Sequence, residues 1–370
     1  MTLKLFPIFS IFAICSLCSG QSFRLNPIIS PEVHPDKRVT FRLRAPNAES
    51  VELSGQFQNV NRQMQQREDG IWTVTLGPIK PDLYPYHFEV DGIAMNDPNN
   101  QHLFPNEGFK ASLLDVPSDE GSIYAQKDVP HGKVSYHFYD SEIVQENRSF
   151  IVYTPPGYER SDESYPVFYL VSGTTDTEET FFKVGKANFI LDNLIAVGKA
   201  KPMIIVMPYG NMRVGTPRPH TPEAALMYDR FAEVLMQEIV PYVESNYRTI
   251  NERSSRAIAG FSRGGGQSLF TGFKYIDDFA HIGSYSAYLT PEVFETYFGP
   301  LLSDPQKTSQ RLETLWLGVG ESDFLYKPAV DFMDYLEAKG IERETLITEG
   351  GHTWMNARHY LYETAQRFFQ

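Results

Sequence analysis

The stretch GFSRGGG, from Gly260 to Gly266, decides the fold of the C-terminal part of this 370-residue chain. It follows the short apolar run SRAIAG, which predicts a buried strand, and it precedes QSLFTGFKY, whose apolar spacing is that of a helix. GFSRG therefore lies at a sharp strand-to-helix turn and fits the pattern G-x-S-x-G. Gly260 and Gly264 remove the Cβ atoms that would collide there, so we expect the Ser262 hydroxyl to project above the edge of a sheet. The alternative interpretation is a glycine-rich turn whose serine has no chemical role.

Short apolar runs alternate with helical patterns on both sides of this turn. Runs rich in Val, Ile and aromatic residues are typical of strands buried on both faces, and they are SFIVYTPPGY, YPVFYLVSG, PMIIVMPYG and TLWLGVGESD. Helical spacing is found in ANFILDNLIAVGKA, EAALMYDRFAEVLMQEIVPYVESNY, PAVDFMDYLEAKGI and WMNARHYLYETAQRFF. Residues 146–370 are therefore predicted to form an α/β domain, with a mostly parallel sheet flanked by helices.

Residues 21–115 have a different pattern. The segments RVTFRLRAP, SVELSG, GIWTVTLGP and YPYHFEVDG alternate apolar and polar residues between Gly, Pro, Asn and Asp turns. They predict a small all-β sandwich, followed by a loose linker over 116–145. Trp72, Tyr84, Tyr86 and Phe88 could stack on sugar rings, but alternation places the last three on one face of a strand, which favours a role in the core.

Residues 1–20 have the composition of a secretory signal peptide. One Lys precedes an apolar run from Leu5 to Leu17, and small residues lead to Gly20, after which we expect cleavage. A membrane anchor is the alternative, but the run is short for a span. Cys15 and Cys18 both lie in this segment, so the mature chain would have no disulfide and no thiolate metal site. The expected location is the periplasm or the extracellular medium.

Composition and motifs exclude several classes of function. The net charge of −13 argues against nucleic acid and anionic membranes as partners. The sequence contains no His-Glu-x-x-His, no paired Cys-x-x-Cys and no Walker-A loop, so we expect no metal and no other cofactor.

A serine hydroxyl is a weak nucleophile unless a histidine accepts its proton. In strand–turn–helix sites of this kind the chain order is Ser, acid, His, so His352, in the loop EGGHTW after the strand-like TLIT, is the predicted base. His359 lies within a helical pattern and His281 stands at the start of a strand, so both fit less well. Asp323, after TLWLGVG, is the predicted acid that holds the histidine tautomer, and Glu321 is the alternative.

Two backbone N–H groups are predicted to bind the oxyanion that forms when the serine attacks an ester. One belongs to Arg263, directly after the serine at the start of the predicted helix. The other belongs to Thr174 in YLVSGTTD, where Gly173 permits a close approach of the backbone. For Thr174, an ordinary loop threonine is the alternative interpretation.

From about Val129 onward the chain resembles the feruloyl esterase branch of carbohydrate esterase family 1. The matching stretches are DVPHG, RSFIVYTPPGY, YPVFYLVSG, GKANFILDNLIAVGKAKPMIIVMPYG, AIAGFSRGGGQSL, GVGESDFLY and EGGHTW. Enterochelin esterases are similar relatives, and the front part, with SPEVHPDKRVTFRLRAPNAESVEL and DGIWTVTL, is similar to early-set, glycogen-binding β-sandwiches. The resemblance implies an α/β-hydrolase with Ser262, Asp323 and His352 as its triad. It also implies a secreted enzyme that removes feruloyl or acetyl groups from plant cell-wall polysaccharide without a cofactor.

Two positions next to the predicted site depart from the family pattern. Relatives usually carry His where this chain has Ser172, and Met where it has Arg263. The first change is expected to loosen the oxyanion loop. The second is expected to put a cation beside the site and alter the choice of acyl group or sugar acid, unless Arg263 points inward to a carboxylate. The alternative functions are a siderophore esterase of the enterochelin type and a non-catalytic carbohydrate-binding protein on a hydrolase scaffold.

Overall fold

The computed structural model describes residues 27–58, 61–119, 121–212 and 222–370. The predicted signal peptide, residues 1–20, lies outside the described residues and stays a prediction. Of the helices in the described ranges, none combines the length and the apolar character that a membrane span requires.

Two β-sheets pack face to face in the N-terminal domain, as the alternating segments predict. Their strands are β1 (Glu32–Val33), β2 (Val39–Arg44), β3 (Val51–Gly55), β4 (Arg62–Gln63), β5 (Gln65–Gln66), β6 (Ile71–Leu76), β7 (Asp82–Val90), β8 (Ile93–Met95) and β9 (Ser112–Val116). One sheet has the order β1-β2-β6-β5, and the other has the order β4-β3-β7-β8, with β9 also paired to β7.

The aromatic residues of this domain form its core. The four that could have stacked on sugars are all buried, namely Trp72, Tyr84, Tyr86 and Phe88. The Tyr86 ring packs edge-on against Phe41, with 5.0 Å between ring centroids. The Trp72 indole N–H donates to the Ala45 carbonyl at 2.8 Å. The core interpretation is confirmed, because a ring enclosed between two sheets has no face available to a sugar.

An eight-stranded sheet forms the centre of the C-terminal domain. Its strands are β10 (Lys133–Ser141), β11 (Glu146–Thr154), β12 (Val167–Val171), β13 (Ile204–Pro208), β14 (Arg256–Phe261), β15 (His281–Tyr285), β16 (Thr314–Gly320) and β17 (Glu344–Thr348). The order is β10-β11-β13-β12-β14-β15-β16-β17, antiparallel from β10 to β13 and parallel from β13 to β17. This confirms the predicted fold class, an α/β-hydrolase preceded by a small all-β domain.

Helices pack on both faces of this sheet. They are α1 (Thr180–Lys183), α2 (Ala187–Ala196), α3 (Pro222–Val234), α4 (Val240–Asn246), α5 (Arg263–Lys274), α6 (Pro291–Leu302), α7 (Pro305–Gln310), α8 (Tyr326–Ala338) and α9 (Trp354–Ala365). The single long helix predicted over residues 223–247 is α3 and α4 joined by a π-helical turn, Leu235–Ile239. Pro241 accounts for this turn, because proline has no N–H with which to continue the helical ladder.

The linker predicted over 116–145 is shorter than expected. β10 lies within that stretch and pairs with β11 along its whole length, from Lys133↔Thr154 to Ser141↔Glu146. β10 is the edge strand of the sheet and most of its residues are at least partly exposed, so its sequence lacks the apolar run that marks the central strands.

Candidate active site

Four loops meet at the carboxyl edge of the parallel strands. Ser262 follows β14, Asp323 follows β16 and His352 follows β17, while residues 172–176, the β12 loop, follow β12. Parallel neighbours present their carboxyl ends at the same edge of a sheet, which is where ligand sites of open α/β folds lie.

Ser262 occupies a strained backbone conformation between β14 and α5. Its φ is 56° and its ψ is −122°, a combination that residues with a side chain rarely adopt. Its N–H donates to the Tyr285 carbonyl at 2.8 Å, and its carbonyl accepts the Gly265 N–H at 2.9 Å. These bonds to β15 and to the first turn of α5 hold the serine at the corner.

The glycines on either side of the serine are required by close backbone contacts. A Cβ on Gly264 would lie 2.2 Å from the Val171 carbonyl oxygen, and a Cβ on Gly260 would lie 2.5 Å from that same oxygen. α5 therefore begins directly against the end of β12, at a distance that only a residue without a side chain permits.

His352 joins Ser262 and Asp323 in a chain of hydrogen bonds. Its Nε2 lies 2.8 Å from Ser262 Oγ, and its Nδ1 lies 3.0 Å and 2.9 Å from the two carboxylate oxygens of Asp323. The Asp323 side chain is fully buried, and its Oδ1 also accepts the Leu325 N–H at 2.8 Å. The structure thus brings the three predicted residues together in an arrangement that would let the imidazole accept the serine proton.

The alternative residues lie outside this chain of hydrogen bonds. Glu321 is exposed, and its backbone N–H donates to the Thr348 carbonyl at 2.8 Å. His281 is 2% exposed at the amino end of β15, where its Nε2 lies 3.1 Å from the Ser254 carbonyl. His359 is half-buried on α9.

The two predicted oxyanion donors lie next to Ser262. Arg263 is the first residue of α5, so its N–H is among those that a helix cannot satisfy internally. Thr174 is exposed on the β12 loop and lines the same cavity as Ser262. Neither N–H donates a hydrogen bond to another residue in the described ranges. Their role as oxyanion donors stays a prediction.

The Arg263 side chain points into the protein. It is 4% exposed, and its Nη2 donates to the Gly173 carbonyl at 2.9 Å. Burial lowers the pKa of Arg263, and the nearby Asp176 carboxylate opposes that effect. Of the two directions that the sequence left open, the inward one is found: the guanidinium is enclosed behind the β12 loop near Asp176, and Arg263 does not line the cavity beside Ser262.

Asp176 lies at the centre of this buried network. It is 4% exposed, its Oδ2 accepts the Gly173 N–H at 3.1 Å, and its Oδ1 accepts the Asn106 amide at 2.8 Å. Burial raises the pKa of Asp176 to about 7, while both hydrogen bonds and the Arg263 charge lower it. Sequence analysis missed this residue, and the only available indication was an acidic residue three positions after Gly173 in a tight turn.

A cavity of about 490 Å³ opens beside Ser262 and His352. Aromatic side chains form much of its wall, namely Phe104, Phe109, Phe261, Tyr288, Phe324 and Trp354. Phe261 and Phe324 flank the imidazole, with 4.7 Å and 4.5 Å between their ring centroids and that of His352.

Part of this cavity belongs to the N-terminal domain. Gln56, Phe104, Asn106 and Phe109 all line it, although sequence analysis left the substrate-binding residues unassigned. Two phenylalanines in a loop rich in Pro, Asn and Gly were the only indication in the sequence. The site is therefore built from both domains.

Comparison with known protein families agrees with this architecture. Residues 141–366 match the Esterase family model, described as "Putative esterase", and residues 29–104 match carbohydrate-binding module 48, the isoamylase N-terminal domain. An endo-1,4-beta-xylanase/feruloyl esterase from Xylanibacter ruminicola is 30% identical over 351 residues, which are 92% of this chain and 46% of that protein. The chain thus spans less than half of the length of this relative.

Solved structures are also similar to this chain. The structure of a ferulic acid esterase is similar, with a TM-score of 0.56 and 26% sequence identity. The similar region covers 64% of this chain and 97% of the ferulic acid esterase chain. The enterobactin esterase from Shigella flexneri has a TM-score of 0.65 over 90% of this chain and 93% of its own, and at 18% identity it shows a common fold. The resemblance to feruloyl esterases with an N-terminal β-sandwich is confirmed by these matches. The Esterase family model matches more than half of the residues of this chain, so the chain belongs to the esterase family.

Proposed function

We propose that this protein is a secreted serine carboxylesterase that removes feruloyl groups from plant cell-wall polysaccharide. The observation that carries the proposal is the hydrogen-bonded chain of Ser262, His352 and Asp323 beside an aromatic-walled cavity. The names of the Xylanibacter relative and of the ferulic acid esterase support the same substrate class. Export to the periplasm or the medium, after cleavage of residues 1–20, is part of the proposal and is supported by the apolar run in that segment.

Each residue has a defined part in the proposed reaction. Ser262 Oγ attacks the ester carbonyl carbon while His352 Nε2 takes its proton, and Asp323 stabilises the resulting imidazolium. The N–H groups of Arg263 and Thr174 donate to the oxyanion of the tetrahedral intermediate. The imidazolium then gives its proton to the departing sugar oxygen, which leaves the acyl group on the serine. A water molecule deprotonated by His352 then attacks the acyl carbon, and the imidazolium returns this proton to Ser262 Oγ as the free acid leaves.

The size and the lining of the cavity favour a feruloyl group over an acetyl group. Its volume of about 490 Å³ falls within the range of sites that enclose whole small molecules. Aromatic walls offer stacking and edge contacts to the ring of a feruloyl group, whereas an acetyl group would contact only the part of the wall next to Ser262.

The charge of the lining argues against a siderophore as substrate. Catecholate siderophores bind iron as anions, and anions are recognised by Lys, Arg or clustered N–H donors. Among the described residues that line the cavity there is no Lys or Arg, and Asp176 is acidic. The hydrogen-bonded triad likewise argues against a non-catalytic carbohydrate-binding protein.

The test is release of acid from methyl ferulate, acetylated xylan and p-nitrophenyl acetate by the mature chain. Ser262→Ala is the inactive variant, and Ser303→Ala, on an exposed serine outside the cavity, is the matched control. We expect ferulate release that Ser262→Ala abolishes and Ser303→Ala retains. Acetate release alone would move the substrate to acetyl groups. Activity that survives in Ser262→Ala, or no hydrolysis of any ester, would overturn the proposal. Export is tested by the mass of the secreted chain, which should lack residues 1–20.

A further inference from the structure

A loop of the N-terminal domain is bonded to the β12 loop beside the candidate active site. This sandwich loop, residues 104–109, lies between β8 and β9. The Glu107 N–H donates to the Thr175 carbonyl at 2.7 Å, and Thr180 Oγ1 donates to the Pro105 carbonyl at 2.8 Å. The two domains are thus joined by one backbone hydrogen bond and one side-chain hydrogen bond within a few residues of the predicted oxyanion donor Thr174.

Asn106 makes the most buried of these contacts. Its Oδ1 accepts the N–H groups of Gly108 at 2.8 Å and Phe109 at 3.1 Å, which fixes the orientation of the amide within its own loop. Its Nδ2 then donates to Asp176 Oδ1 at 2.8 Å. Without this donor, a buried carboxylate oxygen would lose a hydrogen-bond partner, and such a loss is costly.

The Gly173 residue is held from two sides. Its N–H donates to Asp176 Oδ2 at 3.1 Å, and its carbonyl accepts the Arg263 guanidinium at 2.9 Å. The carbonyl also accepts the Asp176 N–H at 3.3 Å. The N–H of Gly173 is therefore fixed by the buried Asp176 side chain, and its carbonyl is fixed by the buried Arg263 side chain.

Peptide planarity transmits this restraint to Thr174. The Gly173 carbonyl and the Thr174 N–H belong to one trans peptide unit, so they lie in one plane and point in opposite directions. A bond from Arg263 to the carbonyl therefore sets the direction of the Thr174 N–H. Arg263 would then support both oxyanion donors, one through its own backbone N–H and the other through its guanidinium.

We propose that Asn106, Asp176 and Arg263 are positioning residues that aim the Thr174 N–H at the oxyanion, which makes the N-terminal domain part of the catalytic apparatus. The proposal rests on the ester hydrolysis by Ser262 proposed above. It gives the sandwich a function other than sugar binding, and it gives the buried Arg263 side chain a role in catalysis.

The test compares Asn106→Ala and Arg263→Met with Asn99→Ala, a matched control on an exposed asparagine of the same domain outside the cavity. We expect kcat to fall about 10- to 100-fold in the first two variants, with KM changed less than about threefold, because the donor acts mainly in the transition state. The loss should be similar with methyl ferulate and with p-nitrophenyl acetate, since both esters form the same oxyanion. Asn99→Ala should match the unmodified chain.

A second readout separates positioning from a general structural role. A trifluoromethyl ketone forms an oxyanion adduct with Ser262. Its affinity for the two variants should fall by the same factor as their kcat/KM, whereas the affinity for ferulate should stay unchanged. Arg263→Lys should recover part of the kcat that Arg263→Met loses, because an ammonium can still donate to the Gly173 carbonyl. If Asn106→Ala does not fold, Asn106→Leu keeps a similar size and removes the donor without placing a second carboxylate against Asp176.

The outcomes distinguish this inference from the proposed function. Unchanged kcat in folded Asn106 and Arg263 variants would overturn the inference while leaving the esterase proposal intact. The inference would also be overturned if the only change were a higher KM for methyl ferulate. That result would show that Asn106 contacts the acyl group of the substrate rather than positioning the oxyanion donor. Failure of the proposed function would instead show as no Ser262-dependent hydrolysis by the unmodified chain.

Discussion

Gly264→Ala tests the contact between α5 and β12 on which the serine turn depends. The added Cβ would lie 2.2 Å from the Val171 carbonyl oxygen and 2.5 Å from that of Ser172, whereas Cβ contacts under 3.0 Å are essentially never found. Either β12 or α5 must therefore move by at least 0.8 Å. Both opposing atoms belong to the backbone, so no side-chain rotation can relieve the collision.

The expected cost follows from two opposing effects. Overpacking a close-packed core costs about 1–3 kcal/mol, and more where backbone must shift, while alanine in a helix is favoured over glycine by about 1 kcal/mol. Because both opposing atoms belong to the backbone, we take the overpacking cost at about 3–4 kcal/mol. Less the gain of about 1 kcal/mol, the free energy of unfolding should fall by about 2–3 kcal/mol, or Tm by roughly 4–12 °C. Because Ser172 begins the β12 loop, the shift also displaces the predicted oxyanion donor, and a misplacement of about 1 Å can lower kcat about 10²-fold.

Gly299→Ala is the matched control for this experiment. Gly299 also lies within a helix, α6, but no atom is within 4 Å of a Cβ built there. We expect this variant to be as active as the unmodified chain and to change the free energy of unfolding by less than about 1 kcal/mol, because Pro300 restricts the residue before it and offsets the helix preference of alanine. Urea unfolding followed by circular dichroism, together with kcat for p-nitrophenyl acetate, measures both effects. A Gly264→Ala protein that retains full stability and full kcat would refute the described contact.

Three further predictions concern buried charged groups. Asp323→Asn should lower kcat by about 10⁴-fold with little change in the urea midpoint, because asparagine favours the wrong tautomer of His352. A loss of kcat under tenfold would argue against Asp323 as the acid of the triad. Asp176→Asn should destabilise the protein less at about pH 8 than at about pH 4. Burial raises the pKa of Asp176 to about 7 against the opposing charge of Arg263, so the folded state binds the proton more tightly than the unfolded state. The stabilisation by this carboxyl is thus present at low pH and is lost as the pH rises through about 7. The prediction would be contradicted if urea unfolding gave the same loss of unfolding free energy for Asp176→Asn at both pH values. Arg358→Met should lower the free energy of unfolding by about 2–4 kcal/mol, as measured by calorimetry. It removes the donor to Asp82 and the Leu83 carbonyl across the domain interface, and to the Val184 carbonyl within its own domain.

The parts of the fold that sequence predicted are those encoded by local patterns. The strand–turn–helix corner at Ser262 is specified by neighbouring glycines, and the central strands are marked by apolar runs that need no knowledge of their partners. The positions of Asp323 and His352 followed from the chain order of such sites and from loops directly after strands. α6 was missed although Thr290 and Pro291 are typical of a helix start, because Gly299 and Pro300 interrupt the pattern near its end.

The parts that sequence did not predict depend on contacts between distant residues. Asn106 meets Asp176 across 70 positions, and Arg263 meets Gly173 across 90. An arginine next to the nucleophile has two possible directions, toward solvent or toward the interior, and the buried carboxylate that favours the interior lies far away in the sequence. For the same reason, no pattern linked the sandwich loop to the wall of the cavity.

The hairpin of β10 and β11 limits where a transfer of this esterase domain to another protein could begin. The esterase match begins at residue 141, the last residue of β10, so a recombination event at that boundary would leave β10 behind. β11 would then become an edge strand. Its last five residues, FIVYT, are buried in the present structure. Such an edge readily pairs with other chains and aggregates. A transfer that keeps β10 paired with β11 must begin before Lys133, and one that omits the β-sandwich would also lose the hydrogen bonds between the sandwich loop and the β12 loop.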